Sequence, residues 1–278
     1  MDHIPHAVPL MLPDLPSQAD WSIRILDADT GENLAEHEPQ RVLKTASIGK
    51  IFLLAEIARR IEIGELATEQ AVPRSLGDPV EDSGLWYLLA ADELPLADVC
   101  QLVGAFSDNL ATNVLVRLIG VDQLAGVSAA LGCSESALLD VVRDGRGPEH
   151  PQALSVGNAS ELAGFMARLH RGEIFAAAVS ARVQRWLAAG ADLSMVASAF
   201  ALDPLAHNDF DRDVRLVNKT GTVTTARIDI GTVESGGRCV AYAVGANFDA
   251  GDRLRNQVLA TMTEIGRRIG RSLGAPTL

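Results

Sequence analysis

A serine and a lysine lie one helical turn apart in Ser47-Ile48-Gly49-Lys50, at the start of a segment with apolar residues at helical spacing. Side chains three positions apart share a helix face, so the Lys50 amine can reach the Ser47 hydroxyl. A neutral lysine there could accept the serine proton, and the helix N-terminus would favour the developing negative charge. The pair alone is a weak signal, because exposed Ser–Lys pairs are common on helices. Its chemistry would be that of an activated nucleophile.

Two further motifs follow in the chain. Ser107-Asp108-Asn109 opens a predicted helix, where these residue types also serve as ordinary N-caps. Lys219-Thr220-Gly221 stands at the end of a predicted strand, where a lysine and a turn glycine need no functional explanation. The three motifs in this order are far more specific than any one of them.

In this order the motifs match the S-x-x-K, S-D-N and K-T-G set of class A β-lactamases and penicillin-binding proteins, and the chain resembles that family. Residues 45–54 are similar to the family's nucleophile helix, and residues 107–113 to its second motif. The resemblance extends from about Trp21 to the C-terminal helix. It implies acyl transfer through an acyl-serine intermediate, with no cofactor and no metal.

The resemblance implies a role in the chemical step for each matching residue. Ser47 would be the acylated nucleophile and Lys50 its base or proton relay, while Ser107 would pass a proton to the leaving nitrogen. The oxyanion hole would consist of the backbone N–H groups of Ser47 and of Thr222, which follows Gly221.

Substrate binding is implied for a second group of residues. Asn109 would bind the amide of the acyl side chain, and Lys219 and Thr220 would hold the substrate carboxylate. Arg227 resembles the class A arginine that adds a second positive charge to the carboxylate site. A solvated arginine on a strand explains Arg227 equally well.

The chain departs from the family in the loop after the second motif. Class A enzymes carry a glutamate there, within an E-x-x-x-N pattern, and it activates the water that releases the acyl enzyme. No such pattern occurs in this loop, and Arg143 occupies the expected position. Asp144 and Glu149 are nearby carboxylates. Glu149 is the possible deacylation base, although it lies late in the loop and a solvated loop charge is the simpler interpretation. Slow deacylation is therefore expected.

Hydrophobic periodicity predicts strands at both ends of the chain and helices between them. The predicted strands are 21–27, 33–37, 214–219, 227–234 and 238–247, with a hairpin turn at Gly236-Gly237. The predicted helices are 47–63, 95–106, 112–119, 121–131, 160–171, 178–189 and 252–273, and residues 143–157 are predicted to form a long surface loop.

This pattern predicts an α/β (α+β) fold with one five-stranded antiparallel sheet, flanked by helices, plus an all-α domain. Together with the resemblance, it indicates the β-lactamase/transpeptidase-like fold. The α/β domain would be discontinuous, 19–45 and 200–278, and the all-α domain would span 46–199. Residues 1–18 would form a leader, and the site would lie between the two domains.

Composition excludes several other classes of protein. The 278 residues carry 24 Lys and Arg against 36 Asp and Glu, a net charge of −12. Such a chain does not favour a nucleic-acid partner. No apolar run is long enough to predict a membrane span, so no membrane partner is expected. Cys100, Cys133 and Cys239 lie too far apart for a disulfide scaffold or a metal knuckle. Cys100 matches half of a disulfide in some class A enzymes, but Leu54 at the partner position implies a free, buried thiol.

The N-terminus indicates a cytoplasmic protein, because the first basic residue is Arg24 and prolines interrupt the only apolar stretch before it. Export, with a signal removed, is the alternative.

We expect a class A β-lactamase-like serine hydrolase acting on small β-lactams or related amides. The alternatives are a D-Ala-D-Ala peptidase or esterase, and an acylated β-lactam-binding or sensor protein without turnover. The motifs leave the oligomeric state open.

Overall fold

The computed structural model describes residues 9–75, 80, 83–206 and 213–278; residues 1–8 of the predicted leader lie outside these ranges. The strands are β1 (Ala19–Asp27), β2 (Asn33–His37), β3 (Leu43–Lys44), β4 (Ala71–Pro73), β5 (Glu93–Pro95), β6 (Ala137–Leu138), β7 (Ser155–Gly157), β8 (Arg215–Val223), β9 (Ala226–Ser235) and β10 (Arg238–Phe248). The α-helices are α1 (Lys50–Glu62), α2 (Leu96–Phe106), α3 (Asn109–Ile119), α4 (Val121–Ala130), α5 (Ala159–His170), α6 (Ala177–Ala188) and α7 (Asp252–Leu273).

The central sheet has five strands in the order β2-β1-β10-β9-β8, and every neighbouring pair is antiparallel. The first two strands of the chain therefore join its last three, and the predicted five-stranded sheet is confirmed. The β9–β10 hairpin turns at Gly236 and Gly237, whose φ angles of 59° and 74° suit the tight turn that two glycines favour.

Both faces of the sheet are buried, which explains its nearly continuous apolar strands. On β10, Val240, Tyr242 and Val244 pack in the cluster that includes α7. Cys239, Ala241 and Ala243 alternate with them and pack in the cluster formed with the helices of the other side. This alternation follows from the two-residue period of a strand. The division into two domains stays a prediction.

All seven predicted helices are present, with ends within three residues of the prediction, but the nucleophile helix begins differently. Residues Ala46–Gly49 form a 3₁₀ turn, and the α-helix starts only at Lys50. A small sheet was also missed: β7, at the end of the predicted surface loop, pairs with both β3 and β6. Strands of two or three residues leave almost no periodic signal. Cys100 is buried and free, as expected.

Among the described helices, none alone has the length and apolarity to cross a membrane; α3 and α4 satisfy the criteria only as a pair bent by 88°.

Candidate active site

One cavity of about 830 Å³ collects most of the residues that the motifs singled out. Its walls include the turn before α1, Ser83, the α2–α3 connection, the loop after β6, residues 190–192 and β8. Among the predicted site residues, those lining the cavity are Ser47, Ser107, Asn109, Lys219, Thr220 and Thr222. The motifs therefore converge in space although long stretches of chain separate them.

The hydroxyl of Ser155 stabilises the turn that carries Ser47. Ser155 Oγ donates to the Ala46 carbonyl at 2.6 Å, accepts from Gly49 N at 3.2 Å, and lies 2.7 Å from Thr45 Oγ1. Ala46 has a φ of 51°, a left-handed conformation that costs a non-glycine residue energy and persists only where the surroundings enforce it. This strained residue immediately precedes the nucleophile predicted from the motif.

Strand β8 passes close to the same turn because one of its residues is glycine. A Cβ on Gly221 would collide with the carbonyl oxygen of Thr45. The close approach brings Thr222 to the cavity wall near Ser47. It is compatible with an oxyanion hole made by the N–H groups of Ser47 and Thr222, which stays a prediction.

Lys50 is fully buried, and its amine has acceptors other than Ser47. Nζ donates to the Ser107 carbonyl at 2.6 Å and to Asn109 Oδ1 at 2.9 Å, and it lies 3.3 Å from Ser107 Oγ. Burial, and then the charge of Lys219, hold the pKa of Lys50 well below the ordinary lysine value. A neutral amine has two hydrogens, which the two closer acceptors take up. Its lone pair is then left to accept a proton.

Ser107 connects this amine to a second one. Its φ of 54° places it in a left-handed turn between α2 and α3. Its hydroxyl oxygen accepts from Lys219 Nζ at 2.9 Å and from Lys50 Nζ at 3.3 Å, so it lies between the two amines. Asp108, the buried N-cap of α3, accepts from Ala111 N at 2.8 Å. Asp108 also binds the backbone N–H groups of residues 85 and 86, which fixes the turn.

Lys219 is buried on β8, where it lines the cavity. Its amine also donates to the Thr220 carbonyl at 2.8 Å. Burial lowers the pKa of Lys219 to about 8, against the opposing charges of Asp192 and Asp229. Lys219 is therefore mainly a cation at neutral pH, whereas burial and the charge of Lys219 shift Lys50 towards its neutral form. The two lysines are fitted to different tasks, anion binding and proton acceptance.

A buried polar cluster lies behind Lys219 and was not foreseen. Asp229 accepts from Asn218 Nδ2 at 3.2 Å, from Tyr242 OH at 3.1 Å and from Ala197 N at 3.3 Å. Burial raises the pKa of Asp229 to about 7, against these hydrogen bonds. Asn218 precedes Lys219 on β8, so the cluster anchors the strand where it reaches the cavity.

We expect Lys219→Ala to weaken substrates that carry a carboxylate by about 1.5–3 kcal/mol, the range for hydrogen bonds to charged groups. A neutral ester should lose less. It should still lose something near neutral pH, because removing the Lys219 charge raises the pKa of Lys50. The measurement is kcat/KM for a matched acid and methyl ester, with Lys44→Ala, an exposed lysine on the cavity wall, as the control. Equal losses for acid and ester would contradict the assignment.

The pKa of Lys219 also predicts a pH profile. Below about pH 8 the amine is protonated, and above it the cationic fraction falls tenfold per pH unit. For a carboxylate substrate, kcat/KM should therefore decline above about pH 8. A neutral ester should show no such alkaline limb. A decline of the same size for both substrates would place the titrating group elsewhere.

The side-chain amide of Asn113 on α3 binds the loop after β6. Asn113 Nδ2 donates to the Val142 carbonyl at 3.0 Å, and Val142 N donates to Asn113 Oδ1 at 2.8 Å. Asp140, before the loop, binds Arg143 through two bonds of 2.8 and 3.1 Å and Arg146 through one of 2.7 Å. Both arginines line the cavity.

Four predicted site residues do not line the cavity: Lys50, Gly221, Glu149 and Arg227. Lys50 is hydrogen-bonded to Ser107 and Asn109 on the wall, and Gly221 packs on Thr45, but Glu149 and Arg227 have no such link. The side chain of Glu149 is 65% exposed and contacts His150 at 3.3 Å, and the carboxylate of this loop that lines the cavity is Asp144. The Arg227 guanidinium donates to the carbonyls of Val223 and Ala226 in the β8–β9 turn. The geometry thus favours neither Glu149 as a base nor Arg227 as a carboxylate ligand.

Several residues that organise the site went unrecognised in the sequence. Two of them had a local signal in the sequence. Asn113 lies four residues after Asn109, a helical spacing, and Asp140 lies three residues before Arg143, a turn spacing. Ser155 and Asp229 had no local signal, since their partners are distant in the chain. Among the residues that the structure describes, no group of His, Cys, Asp or Glu is arranged to hold a metal ion.

Comparison with known proteins gives one family and many similar structures. The model of the "Beta-lactamase enzyme family" matches residues 14–273. A β-lactamase from Sphaerobacter thermophilus is 23% identical, with a TM-score of 0.79 and 92% of each chain covered. PBP-A is 16% identical, with a TM-score of 0.77 over 93% of this chain and 91% of that one. An ancestral class A β-lactamase is 20% identical, with a TM-score of 0.77 over 92% and 95%. No match was found among curated proteins.

Proposed function

Because the chain belongs to the β-lactamase enzyme family and is a β-lactamase-like serine hydrolase, we propose that it opens β-lactams or related amides through an acyl-Ser47 intermediate. The observation that carries the proposal is the proton path beside Ser47. Two buried lysines flank the single hydroxyl of Ser107: Lys50, whose pKa is held well below the ordinary lysine value, and Lys219, whose pKa is about 8.

The acylation step follows from this arrangement. Ser47 Oγ attacks the substrate carbonyl carbon, and its proton goes to the lone pair of Lys50. The C–O bond to Ser47 forms and the C–N bond of the amide breaks. The Ser107 hydroxyl gives its proton to the leaving nitrogen and receives one from Lys50, so the amine returns to its neutral form. Lys219 holds the substrate carboxylate throughout.

Deacylation is the step for which the site is poorly equipped. It needs a base that takes a proton from water, and the loop offers Arg143 on the cavity wall where class A enzymes have glutamate. This observation favours a second candidate, a D-Ala-D-Ala peptidase- or esterase-like enzyme or a binder that stays acylated. PBP-A, one of the similar structures, has been solved as a mutant in an acyl-enzyme complex with penicillin G.

Intact-mass measurement with a fluorescent penicillin, together with a chromogenic cephalosporin assay, tests the proposal. A mass increase of one penicillin with slow turnover supports slow β-lactam hydrolysis. Rapid turnover supports an efficient β-lactamase, and a persistent adduct without turnover supports the second candidate. No adduct and no turnover with either compound would refute acyl transfer to β-lactams.

A further inference from the structure

Arg143 and Arg146 line the cavity from the loop, and Lys219 lines it from β8. The Asn113–Val142 hydrogen bonds pack the loop on α3, one turn after Asn109, whereas Lys219 projects from β8. A substrate with its carboxylate on Lys219 and its carbonyl at Ser47 reaches these arginines if its acyl side chain extends to the loop wall of the same cavity.

Asp140 fixes the position of Arg143. The Asp140 side chain is only 7% exposed and accepts Nε and Nη2 of Arg143 together with Nη1 of Arg146. Burial opposes ionisation, but these hydrogen bonds hold the pKa of Asp140 below its ordinary value. One carboxylate therefore serves two guanidinium groups, and a positive charge is left over.

Some N–H donors of these guanidinium groups have no acceptor among the described residues. Both terminal nitrogens of Arg146 have acceptors, because they also donate to the carbonyls of Pro151 and Val141. Among the described residues, Arg143 Nη1 has no acceptor, and the side chain is 36% exposed on the cavity wall. Asp144 lines the same wall and Glu149 adds a distant negative charge, but both are exposed, so solvent screens them.

We propose that Arg143 binds a carboxylate on the acyl side chain of the substrate, with Asp140 and Arg146 as positioning residues. The inference rests on the proposed function and names its substrate class. The preferred substrate is a dianion, with one carboxylate at Lys219 and a second at Arg143. A guanidinium held by a buried carboxylate is preorganised for such a contact, so little side-chain entropy is lost on binding.

Carbenicillin and benzylpenicillin provide a matched pair, since they differ by one carboxylate on the acyl side chain. Binding to the unreactive Ser47→Ala protein is measured by calorimetry. We expect carbenicillin to bind about three- to tenfold more tightly, between the value of an exposed ion pair and that of a hydrogen bond to a charged group. Raising the salt concentration should reduce the preference.

Three variants in the Ser47→Ala background test the assignment. Arg143→Gln should abolish the preference and Asp144→Asn should increase it. The control is Arg41→Gln, whose side chain is similarly exposed at 35% but bound to Asp20 and Glu38 at the surface. Arg41→Gln should leave the preference for carbenicillin unchanged.

The inference is overturned if the Ser47→Ala protein binds the two penicillins with equal affinity or binds neither measurably. It is also overturned if the preference for carbenicillin survives Arg143→Gln. If the Arg143→Gln protein does not fold, the inference is tested instead by the carbenicillin preference of Arg143→Lys and by the dependence of that preference on salt concentration. Acylation of the unmodified protein, read by mass, tests the proposed function separately, because the binding comparison needs no reaction.

Discussion

Ser47→Ala should form no covalent adduct with any β-lactam, and its acylation rate should fall on the order of 10⁶-fold, the scale seen when a serine hydrolase loses its nucleophile. The physical reason is that the proposed base is Lys50, whose pKa burial holds well below the ordinary lysine value, and its target is the hydroxyl that follows the strained Ala46. The measurement is intact mass after incubation with a fluorescent penicillin.

Ser83 provides a matched control for this experiment, because it also lines the cavity. Its backbone carbonyl accepts from Asn109 N at 2.9 Å, a contact that does not need the hydroxyl. Ser83→Ala should therefore be acylated like the unmodified protein. An adduct on Ser47→Ala at the unmodified rate would show that another residue is acylated.

The second large effect concerns turnover. A positioned general base contributes about 10²–10⁴-fold, and the loop has no glutamate where class A enzymes need one. Deacylation should be slower than in a class A enzyme by that factor. A burst of product equal in amount to the enzyme should precede slow steady-state hydrolysis. Stopped-flow absorbance with a chromogenic cephalosporin measures both phases.

Arg143→Glu tests the cause of the slow phase. It places a carboxylate where the class A base would lie, but beside the ionised Asp140, whose pair with Arg143 it removes. Partial recovery of turnover is therefore the expected result. Fast hydrolysis without a burst in the unmodified protein would contradict the prediction. Asp144→Asn then becomes the decisive variant, because Asp144 lines the cavity and Glu149 does not.

The features that could be predicted from the sequence are those with a local signature. The five strands had alternating or continuous apolar patterns, and α7 showed a clear helical period, so the sheet and its helices were predictable. Ser47 with Lys50, and Ser107 with Asn109, lie within a few residues of each other, so spacing predicted that each pair belongs to one part of the site. The convergence of these pairs with Lys219 followed from the family resemblance.

The features that were not predicted depend on contacts between distant parts of the chain. Ser155 supports the nucleophile turn from a position 106 residues after Gly49, with no pattern that announces it. Arg227 was expected at the carboxylate site, but two backbone carbonyls in its own turn satisfy its guanidinium. The orientation of a long side chain is decided by such local acceptors, which residue type and spacing do not reveal.

The order of strands in the central sheet has a consequence for biosynthesis. β1 is made first but pairs along its whole length with β10, from Ala19 opposite Phe248 to Asp27 opposite Val240. During translation the β1–β2 hairpin must wait, with an unpaired apolar edge, until nearly the entire chain has left the ribosome. Such long-range pairing slows folding and leaves nascent chains prone to aggregation. Ribosome-bound chains that end before β10 should therefore be protease-sensitive and dependent on chaperones.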